Sequence, residues 1–352
     1  LHRPRRPVLP VDPGAEVKTQ VYTDTTGFTA LRQEWNPLLR KSVSDTIFLT
    51  WEWQSAWWEH LGEGELYLIA MRDDSHLAGI AALYLTTTDD GLKALSIVGC
   101  RDVSDYLDLI AARSQEEKVY STLLDWLASD EAPDWDLADL CNIPAASPTH
   151  SLLAEMASAR GHQVQTGVED VCPIIPLPPT WDEYLSSLDG KQRHELRRKL
   201  RKAEASGQIN WYIVGEERDL AAEMDAFIEL HEKSAVEKDE FMDTKMKGFF
   251  HAVAQVLHDA GWLQLAFIEV NGEKAATMMN FDYQDSIMVY NSGFDPQQYA
   301  WLSPGIVLLA YCIQRAIELG RAKFDFLRGD EEYKLRFGGQ PTEVYRLLIA
   351  RQ

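Results

Sequence analysis

The dipeptide Asn271-Gly272 is the sequence feature that most restricts the fold. It separates two β-prone segments, residues 263–270 and 274–283, and Asn-Gly supplies the two positive φ angles of a type I′ turn. The pattern therefore predicts a β-hairpin. A third strand is predicted at residues 286–292, and a long apolar helix at 304–320 follows it. The second half of the chain is thus organised around an antiparallel meander that leads into a helix.

A similar order of elements is predicted in the first half. The first half begins with a tryptophan-rich helix at residues 51–60, for which Thr50 is the predicted cap. The elements predicted after it are a hairpin (66–72 and 77–86), strands (94–98, 106–111, 135–141 and 162–177) and helices (114–128 and 148–160). The second half adds helices (181–188, 191–206, 217–236, 245–260 and 330–337) and strands (208–214, 323–327 and 344–350). In both halves the predicted order is hairpin, strand, helix, strand, helix, strand, although the amino-acid sequences of the two halves show no repeat.

The duplicated order predicts an α/β fold of the α+β type, with two tandem domains whose mixed, mainly antiparallel sheets are flanked by helices. With 352 residues, the chain exceeds the size of a single hydrophobic core. A proline cluster at 173–179 marks the domain boundary. We expect a disordered tail at 1–20, an N-terminal domain at 21–178 and a C-terminal domain at 179–352.

Composition excludes several classes of protein. The net charge of −21 opposes a general nucleic-acid role, and the longest apolar runs are too short for membrane insertion. The four cysteines lie in apolar segments without CxxC spacing, which favours free thiols in a reducing cytoplasm. His231, His251 and His258 lack metal-ligand spacing, so no metal site is predicted. The first helix contains four tryptophans, Trp51, Trp53, Trp57 and Trp58. Their rings could stack on a sugar, but core packing is favoured for Trp53 and Trp57.

The turn that opens the helix at 304–320 is the first candidate site. Ser303 can cap this helix, Pro304 suits its first turn, and Gly305 permits close approach of a ligand to the backbone. Free amides at a helix start attract phosphate groups. The alternative is a well-capped structural helix with no ligand.

The second candidate is a cluster of charged residues at the end of the strand at 323–327. Loops at strand ends line the ligand crevice in open α/β sheets. The alternative is a solvated loop with structural ion pairs. The cluster comprises Asp325, Arg328, Asp330, Glu331, Tyr333, Lys334 and Arg336.

These motifs carry a family resemblance. The segments LSPG, AIELG and FDFLRGDEEYKLRFG, together with FLTWEWQSAWWEHLG and DYLDLIA in the first half, resemble the CelD-like acetyltransferases, relatives of the FemX-type peptidyltransferases in the GNAT superfamily. The resemblance is strong over residues 180–345 and looser over 20–175. It implies that each half is a GNAT-like domain and that the SPG turn replaces the usual Q/R-x-x-G-x-G/A loop, which is absent. Residues 112–114 contain no glycine, so the first domain is expected to lack a cofactor site.

The resemblance also implies roles for single residues. Acyl transfer needs a base, donors to the oxyanion and an acid for the leaving thiolate. The base would be Asp325, Asp330 or Glu331, Tyr333 would protonate sulfur, and Lys334 or Arg336 would stabilise negative charge. The implied donor site, with amides for the thioester carbonyl and the diphosphate, is Asn291, Ser292, Gly293, Ser303, Pro304, Gly305 and Ile306. The implied acceptor site is Asp105, Tyr106, Arg328 and Arg336, with Asp108 as a weaker candidate.

The expected function is transfer of an acyl group from acetyl-CoA or another acyl-CoA to an amine or hydroxyl of a sugar or cell-envelope acceptor. One alternative is a FemX-like transferase that uses aminoacyl-tRNA, and another is a noncatalytic scaffold in exopolysaccharide synthesis. A basic helical segment at 191–202 could contact the CoA phosphates, tRNA or a polyanionic acceptor through Arg197, Arg198 and Arg201. It could equally be a solvated helix that pairs with the acidic surface.

Overall fold

The computed structural model describes residues 17–74, 76–100, 103–207 and 209–351. The strands are β1 (Val17–Tyr22), β2 (Glu65–Asp73), β3 (His76–Thr87), β4 (Lys93–Ile97), β5 (Ile110–Ala111), β6 (Leu137–Pro144), β7 (Gln163–Pro176), β8 (Ile209–Ile213), β9 (Leu263–Val270), β10 (Glu273–Tyr283), β11 (Ser286–Phe294), β12 (Lys323–Asp325) and β13 (Gln340–Ala350). The helices are α1 (Thr26–Leu39), α2 (Trp51–Leu61), α3 (Glu116–Leu127), α4 (Ala154–Ala159), α5 (Trp181–Ser187), α6 (Gly190–Ala205), α7 (Leu220–Ser234), α8 (Val236–Phe241), α9 (Thr244–Asp259), α10 (Pro304–Glu318) and α11 (Glu332–Arg336).

The described strands form one continuous mixed sheet. Its order is β1-β2-β3-β4-β6-β13-β7-β12-β11-β10-β9-β8, and β5 pairs with β3 off this path. The pairs β4–β6 and β11–β12 are parallel, whereas the other strand pairs of the described chain are antiparallel. The predicted mixed, mainly antiparallel α/β architecture with flanking helices is therefore confirmed.

The two halves of the sheet repeat one another and exchange their last strands. β1, β2, β3, β4 and β6 in the first half correspond in order to β8, β9, β10, β11 and β12 in the second. The last strand of the first half, β7, pairs with β12, while β13 pairs with β6, and β7 and β13 pair with each other. Arg346 of β13 makes a bidentate ion pair with the buried Asp139 of β6, at 2.6 and 2.7 Å. The exchange links the halves through main-chain hydrogen bonds, and the domain boundary at 178 stays a prediction.

Helices cover the second half of the sheet on both faces. Because side chains alternate across a strand, Ala276 and Met278 of β10 belong to an apolar cluster with α6 and α10. Met279 and Phe281 belong to the other main cluster, which contains residues of α7, α9 and the first half. Helices α10 and α7 therefore lie on opposite faces of the sheet.

Most predicted elements of the second half are confirmed within a few residues. Asn271 and Gly272 have φ angles of 57° and 84°, as the hairpin requires. In the first half, Thr50 caps α2 by accepting from the Trp53 amide, and Trp53 and Trp57 are buried in the core, both as expected.

Several local predictions were wrong. Within the predicted strand at 106–111, only β5 is a strand, because residues 106–109 form an irregular buried loop. The helix predicted at 148–160 begins as a π-helical turn, Thr149–Leu153. Strand β1 includes residues 17–20 of the predicted tail, and residues 1–16 lie outside the described part. Helices α1 and α8 were not predicted.

Two of the four cysteines are paired. The structure joins Cys100 and Cys141 by a disulfide, whereas Cys172 and Cys312 are buried free thiols. The prediction of four free thiols was therefore wrong, because sequence spacing does not reveal that the loop after β4 and strand β6 lie side by side. Among the described helices, none combines the length and apolarity that a bilayer crossing requires.

Candidate active site at the divergence of β11 and β12

A cleft opens where the parallel strands β11 and β12 separate. Their pairing ends with Met288 opposite Asp325. Beyond that point β11 continues to Phe294, whereas the segment after β12, residues 326–329, leaves the strand pair. The cleft has a volume of about 1100 Å³ and is lined by residues of both sheet faces, such as Leu309 of α10 and Phe241 of α8.

Strand β11 forms one wall and contains a β-bulge. Met279 of β10 lies opposite Asn291, and the next residue, Asn280, lies opposite Val289. Tyr290 is therefore the extra residue, and such bulges re-aim backbone groups beside active sites. The predicted residues that follow it, Asn291, Ser292 and Gly293, all line the cleft.

Gly293 is required by the packing of α7 on β11. A Cβ atom at this position would lie 2.4 Å from the backbone nitrogen of His231, which is closer than Cβ atoms approach other atoms. The ring Nδ1 of His231 lies 3.0 Å from the Ser292 carbonyl oxygen. Lys238 of α8 donates to the same oxygen at 2.6 Å. These contacts fix the end of β11 against α7 and α8.

The start of α10 forms a second wall. Ser303, Pro304, Gly305 and Ile306 line the cleft. The prediction that Ser303 caps the helix was wrong: Ser303 is in the left-handed conformation with φ 53°, and its side chain makes no capping bond. Its carbonyl oxygen accepts from the amides of Ile306 and Val307. Among the described residues, none accepts from the Gly305 amide, which leaves that donor free.

Gly305 is not required by packing within the protein. A Cβ atom built on it meets no heavy atom within 4 Å, and its φ is not positive. Glycine weakens a helix relative to alanine. The position therefore keeps space open on the cleft side of the helix.

Asp325 lies behind the cleft, and both of its carboxylate oxygens accept hydrogen bonds within the protein. It is 5% exposed, and its two oxygens accept from the Tyr106 hydroxyl at 2.9 Å and the Leu327 amide at 2.8 Å. Burial raises the pKa of the Asp325 carboxyl to about 6. Asp325 and Tyr106 are not among the residues that line the cleft, and their contact ties the loop after β12 to the first half.

Lys334 holds the loop that follows β12. It is 3% exposed, and its ammonium group donates to the carbonyl oxygens of Leu327, Arg328 and Gly329 at 3.4, 2.5 and 3.3 Å. It also forms an ion pair with Glu331 at 2.8 Å. The residue borders the cleft, but its donors are largely occupied by this loop.

Tyr333 lines the cleft. The side chain is 36% exposed and its ring packs edge-on against Phe326. No described residue forms a hydrogen bond with the hydroxyl. The pKa of Tyr333 is raised, first by loss of hydration and then by the charge of Glu331, so the phenol keeps its proton at neutral pH.

Arg328 and Asp105 join the two halves at the cleft. Arg328 donates to Asp105 at 2.6 Å and to the side chain of Asn142 at 3.2 Å, and both Arg328 and Asp105 line the cleft. Burial raises the pKa of the Asp105 carboxyl, an effect opposed by Arg328. Asn142 follows Cys141, so the disulfide lies one residue from this network.

The other predicted residues lie elsewhere. Asp330 is exposed and does not line the cleft. Arg336 pairs with Glu332 on the surface of α11. Asp108 is buried in the first half, where it accepts from Ser44 and Thr149. Within the described ranges, no group of three or more His, Cys, Asp or Glu side chains is arranged to hold a metal ion.

The cleft contains residues that the sequence did not indicate. His231, Lys238, Phe241 and Asp170 all line it. Lys238 and Phe241 belong to α8, a six-residue helix without a readable period. Asp170 belongs to β7, whereas the other three residues reach the site because α7 and α8 lie over β11.

The basic helix α6 lies next to the start of α10. Its apolar residues Leu196 and Leu200 pack in the cluster that contains α10. Lys202 donates to the Trp301 carbonyl at 2.9 Å and lies 5.1 Å from the centre of the Trp301 ring. The predicted polyanion-binding residues are exposed, and one of them pairs with Glu195; they are Arg197, Arg198 and Arg201.

A strand with a bulge, its diverging parallel partner and the start of a helix thus meet at one cleft. The sequence of residues 190–335 matches the family described as acetyltransferase (GNAT) domain. This segment of the chain is therefore a GNAT-superfamily domain.

Solved structures with a similar fold cover nearly the whole chain. The structure of FemX is 12% identical, with a TM-score of 0.66 over 93% of this chain and 96% of its own. L-PGS from Bacillus licheniformis is 12% identical, with a TM-score of 0.57 over 97% and 94%. A tandem GNAT protein from the clavulanic acid biosynthesis pathway is 8% identical, with a TM-score of 0.51 over 95% and 99%. A search of curated proteins found no match. The similarities show a shared double GNAT-like fold.

Proposed function

We propose that the chain is an acyltransferase that moves an acyl group, most simply acetyl, from CoA to an amine or hydroxyl of a sugar or cell-envelope acceptor. The observation that carries the proposal is the convergence, in one cleft, of a free helix-start amide at Gly305, the bulged strand β11 and the unbonded Tyr333 hydroxyl. The GNAT domain match over residues 190–335 supports acyl transfer in general.

The donor would enter from the face of the sheet that carries α10. Its diphosphate would accept from the Gly305 amide, where the helix dipole favours negative charge. The thioester carbonyl would reach the backbone of Asn291, Ser292 and Gly293 beside the bulge. Backbone donors of this kind stabilise the oxyanion of a tetrahedral intermediate.

Tyr333 is the residue suited to protonate the leaving thiolate. The residue lines the cleft, no described residue bonds its hydroxyl, and a phenol is protonated at neutral pH, here with its pKa above the ordinary value. Glu331 is the best placed of the predicted bases, since it lines the cleft and is half exposed. Asp325 is too enclosed to meet a substrate, and Lys334 would act by holding residues 327–329 in place.

A transferase that uses aminoacyl-tRNA is the second candidate. It is favoured by the exposed arginines of α6 and by the contact of Lys202 with Trp301, which joins the basic helix to the start of α10. Such a protein would bind tRNA with an affinity that falls steeply with salt.

Ligand-induced thermal stabilisation separates these functions. Acetyl-CoA, longer acyl-CoAs and aminoacyl-tRNA would be compared, because a ligand bound only by the folded state raises Tm. A shift of several degrees with acyl-CoA supports the proposal, and a shift with tRNA alone supports the second candidate. No shift with any donor would favour a noncatalytic scaffold in exopolysaccharide synthesis and contradict both.

The proposed location is the cytoplasm, as expected from the sequence. The disulfide between Cys100 and Cys141 opposes this location, because cytosolic proteins rarely keep disulfides. Counting the reactive thiols of the protein as isolated from cells shows whether Cys100 and Cys141 are reduced, as a cytoplasmic location requires, or joined by the disulfide.

A further inference from the structure

The cleft wall opposite α10 contains a cation, Lys238, for which the described part of the chain offers no ion-pair partner. Lys238 reaches from α8 to the end of β11, where its ammonium donates to the Ser292 carbonyl at 2.6 Å. A carbonyl is a neutral acceptor and satisfies one of three N–H groups. Among the described residues, no carboxylate lies within ion-pair distance of Lys238.

Of the described residues that line the cleft, the other Lys and Arg side chains are each paired with a carboxylate. Arg328 is paired with Asp105 at 2.6 Å, and Lys334 with Glu331 at 2.8 Å. Glu331 also acts on Lys238 through space, but the larger effect on the pKa of Lys238 is its lowering by burial. A partly buried ammonium without a counter-ion is unfavourable. Its presence in a cleft points to an anionic ligand.

The sheet separates this cation from the proposed diphosphate site. Helix α10 packs with Met278 on one face, whereas α7 and the residues next to α8 pack with Met279 and Phe281 on the other. The cleft passes between β11 and residues 326–329 and is lined from both faces. A donor held by α10 and an acceptor held by α8 would therefore meet at the bulge.

We infer that Lys238 binds an anionic oxygen group, a carboxylate or a phosphate, carried by the acceptor. This inference rests on the proposed function and narrows it: the acceptor has a nucleophilic amine or hydroxyl and a negative charge a few bonds away. His231 fixes the same Ser292 carbonyl from α7 and so helps to hold the wall on which the anion binds.

Chemical labelling of Lys238 tests the inference without an activity assay. The rate of reductive methylation at Lys238 is followed by peptide mass spectrometry with acetate, inorganic phosphate or acetamide, at constant ionic strength set with chloride, with and without saturating CoA. We expect acetate or phosphate to slow the reaction and acetamide to have no effect. The anion that protects Lys238 from methylation at the lower concentration shows whether the acceptor's anionic group is a carboxylate or a phosphate. Protection by CoA alone would assign Lys238 to the donor, and no protection by either anion would overturn the inference.

Substitution at the same site gives a second measurement. Lys238→Met should weaken the binding of the protecting anion roughly 10- to 100-fold, the effect of losing a charge-assisted hydrogen bond. Lys238→Arg should retain it. Lys233→Met is the matched control, since Lys233 is an exposed lysine of α7 that pairs with Glu229. Unchanged anion affinity in Lys238→Met would overturn the inference. If the wild-type protein does not bind CoA at all, that result contradicts the proposed function alone.

Discussion

Tyr106 donates a buried hydrogen bond to Asp325 across the junction of the two halves, at 2.9 Å and a separation of 219 residues. Burial raises the pKa of the carboxyl to about 6. The contact thus joins a loop of the first half to the strand end that borders the candidate site.

Asp325 makes folding stability depend on pH. Its native pKa of about 6 exceeds the ordinary value of 3.8, so the stabilisation is present below pH 3.8 and is lost as pH rises to about 6. Up to about 3 kcal/mol is involved. Asp325→Asn should remove this part of the dependence, as measured by urea unfolding at a series of pH values. Parallel curves for wild type and variant would contradict the assignment.

Tyr106→Phe should move the same transition to higher pH. The Tyr106 hydrogen bond lowers the pKa of Asp325 in opposition to burial, so losing the hydroxyl raises that pKa further. The difference in the free energy of unfolding between Tyr106→Phe and wild type should therefore grow as pH rises above 6. A constant difference would mean that the two groups titrate independently.

Gly305→Val tests the donor site. The added side chain points into open space beside the free amide and should raise the Kd for acetyl-CoA about tenfold or more, equivalent to about 1.4 kcal/mol, by isothermal titration. Gly190→Val is the matched control: Gly190 also opens a helix, α6, and a Cβ there also meets no atom within 4 Å. Equal affinities in the two variants would argue against the phosphate turn.

Tyr333→Phe should reduce turnover while leaving the fold and donor affinity unchanged. Loss of a general acid costs roughly 100-fold or more in kcat, with little change in KM for acyl-CoA. Tyr311→Phe serves as the control, because Tyr311 stacks on Trp211 away from the cleft. A kcat equal to that of the control would remove Tyr333 from the mechanism.

Lys334→Met should lower stability as well as activity. Three carbonyl oxygens and Glu331 lose their common donor, which should cost about 2–4 kcal/mol in denaturant unfolding. Arg336→Ala, on the exposed side of the same helix, should change stability by less than about 0.5 kcal/mol. A fully stable Lys334→Met protein with lost turnover would indicate a direct catalytic role.

Local chemistry made much of the fold predictable. Asn271-Gly272 specified the hairpin, and Thr50 specified the start of α2, because both effects involve neighbouring residues. The strand exchange was not predictable, since a strand's alternation does not encode its partner. The charged residues at the end of β12 and after it likewise did not reveal that Asp325 is buried while Glu331 lines the cleft.

Sequence reasoning selected two segments that line one cleft, whereas their role as a functional site stays a prediction. The segments 291–293 and 303–306 do meet at one cleft. Ser303 has the composition of a cap but a left-handed backbone, which no sequence pattern indicated. Lys238 and His231 reach the cleft through tertiary packing alone.

The exchange of β7 and β13 has a consequence for biosynthesis. A nascent chain that has emerged as far as β12 still lacks the strand that lies between β6 and β7. Until β13 arrives, β6 presents an unpaired edge that can recruit other chains. Assembly of the first half is therefore complete only after β13 has been synthesised and has paired with β6.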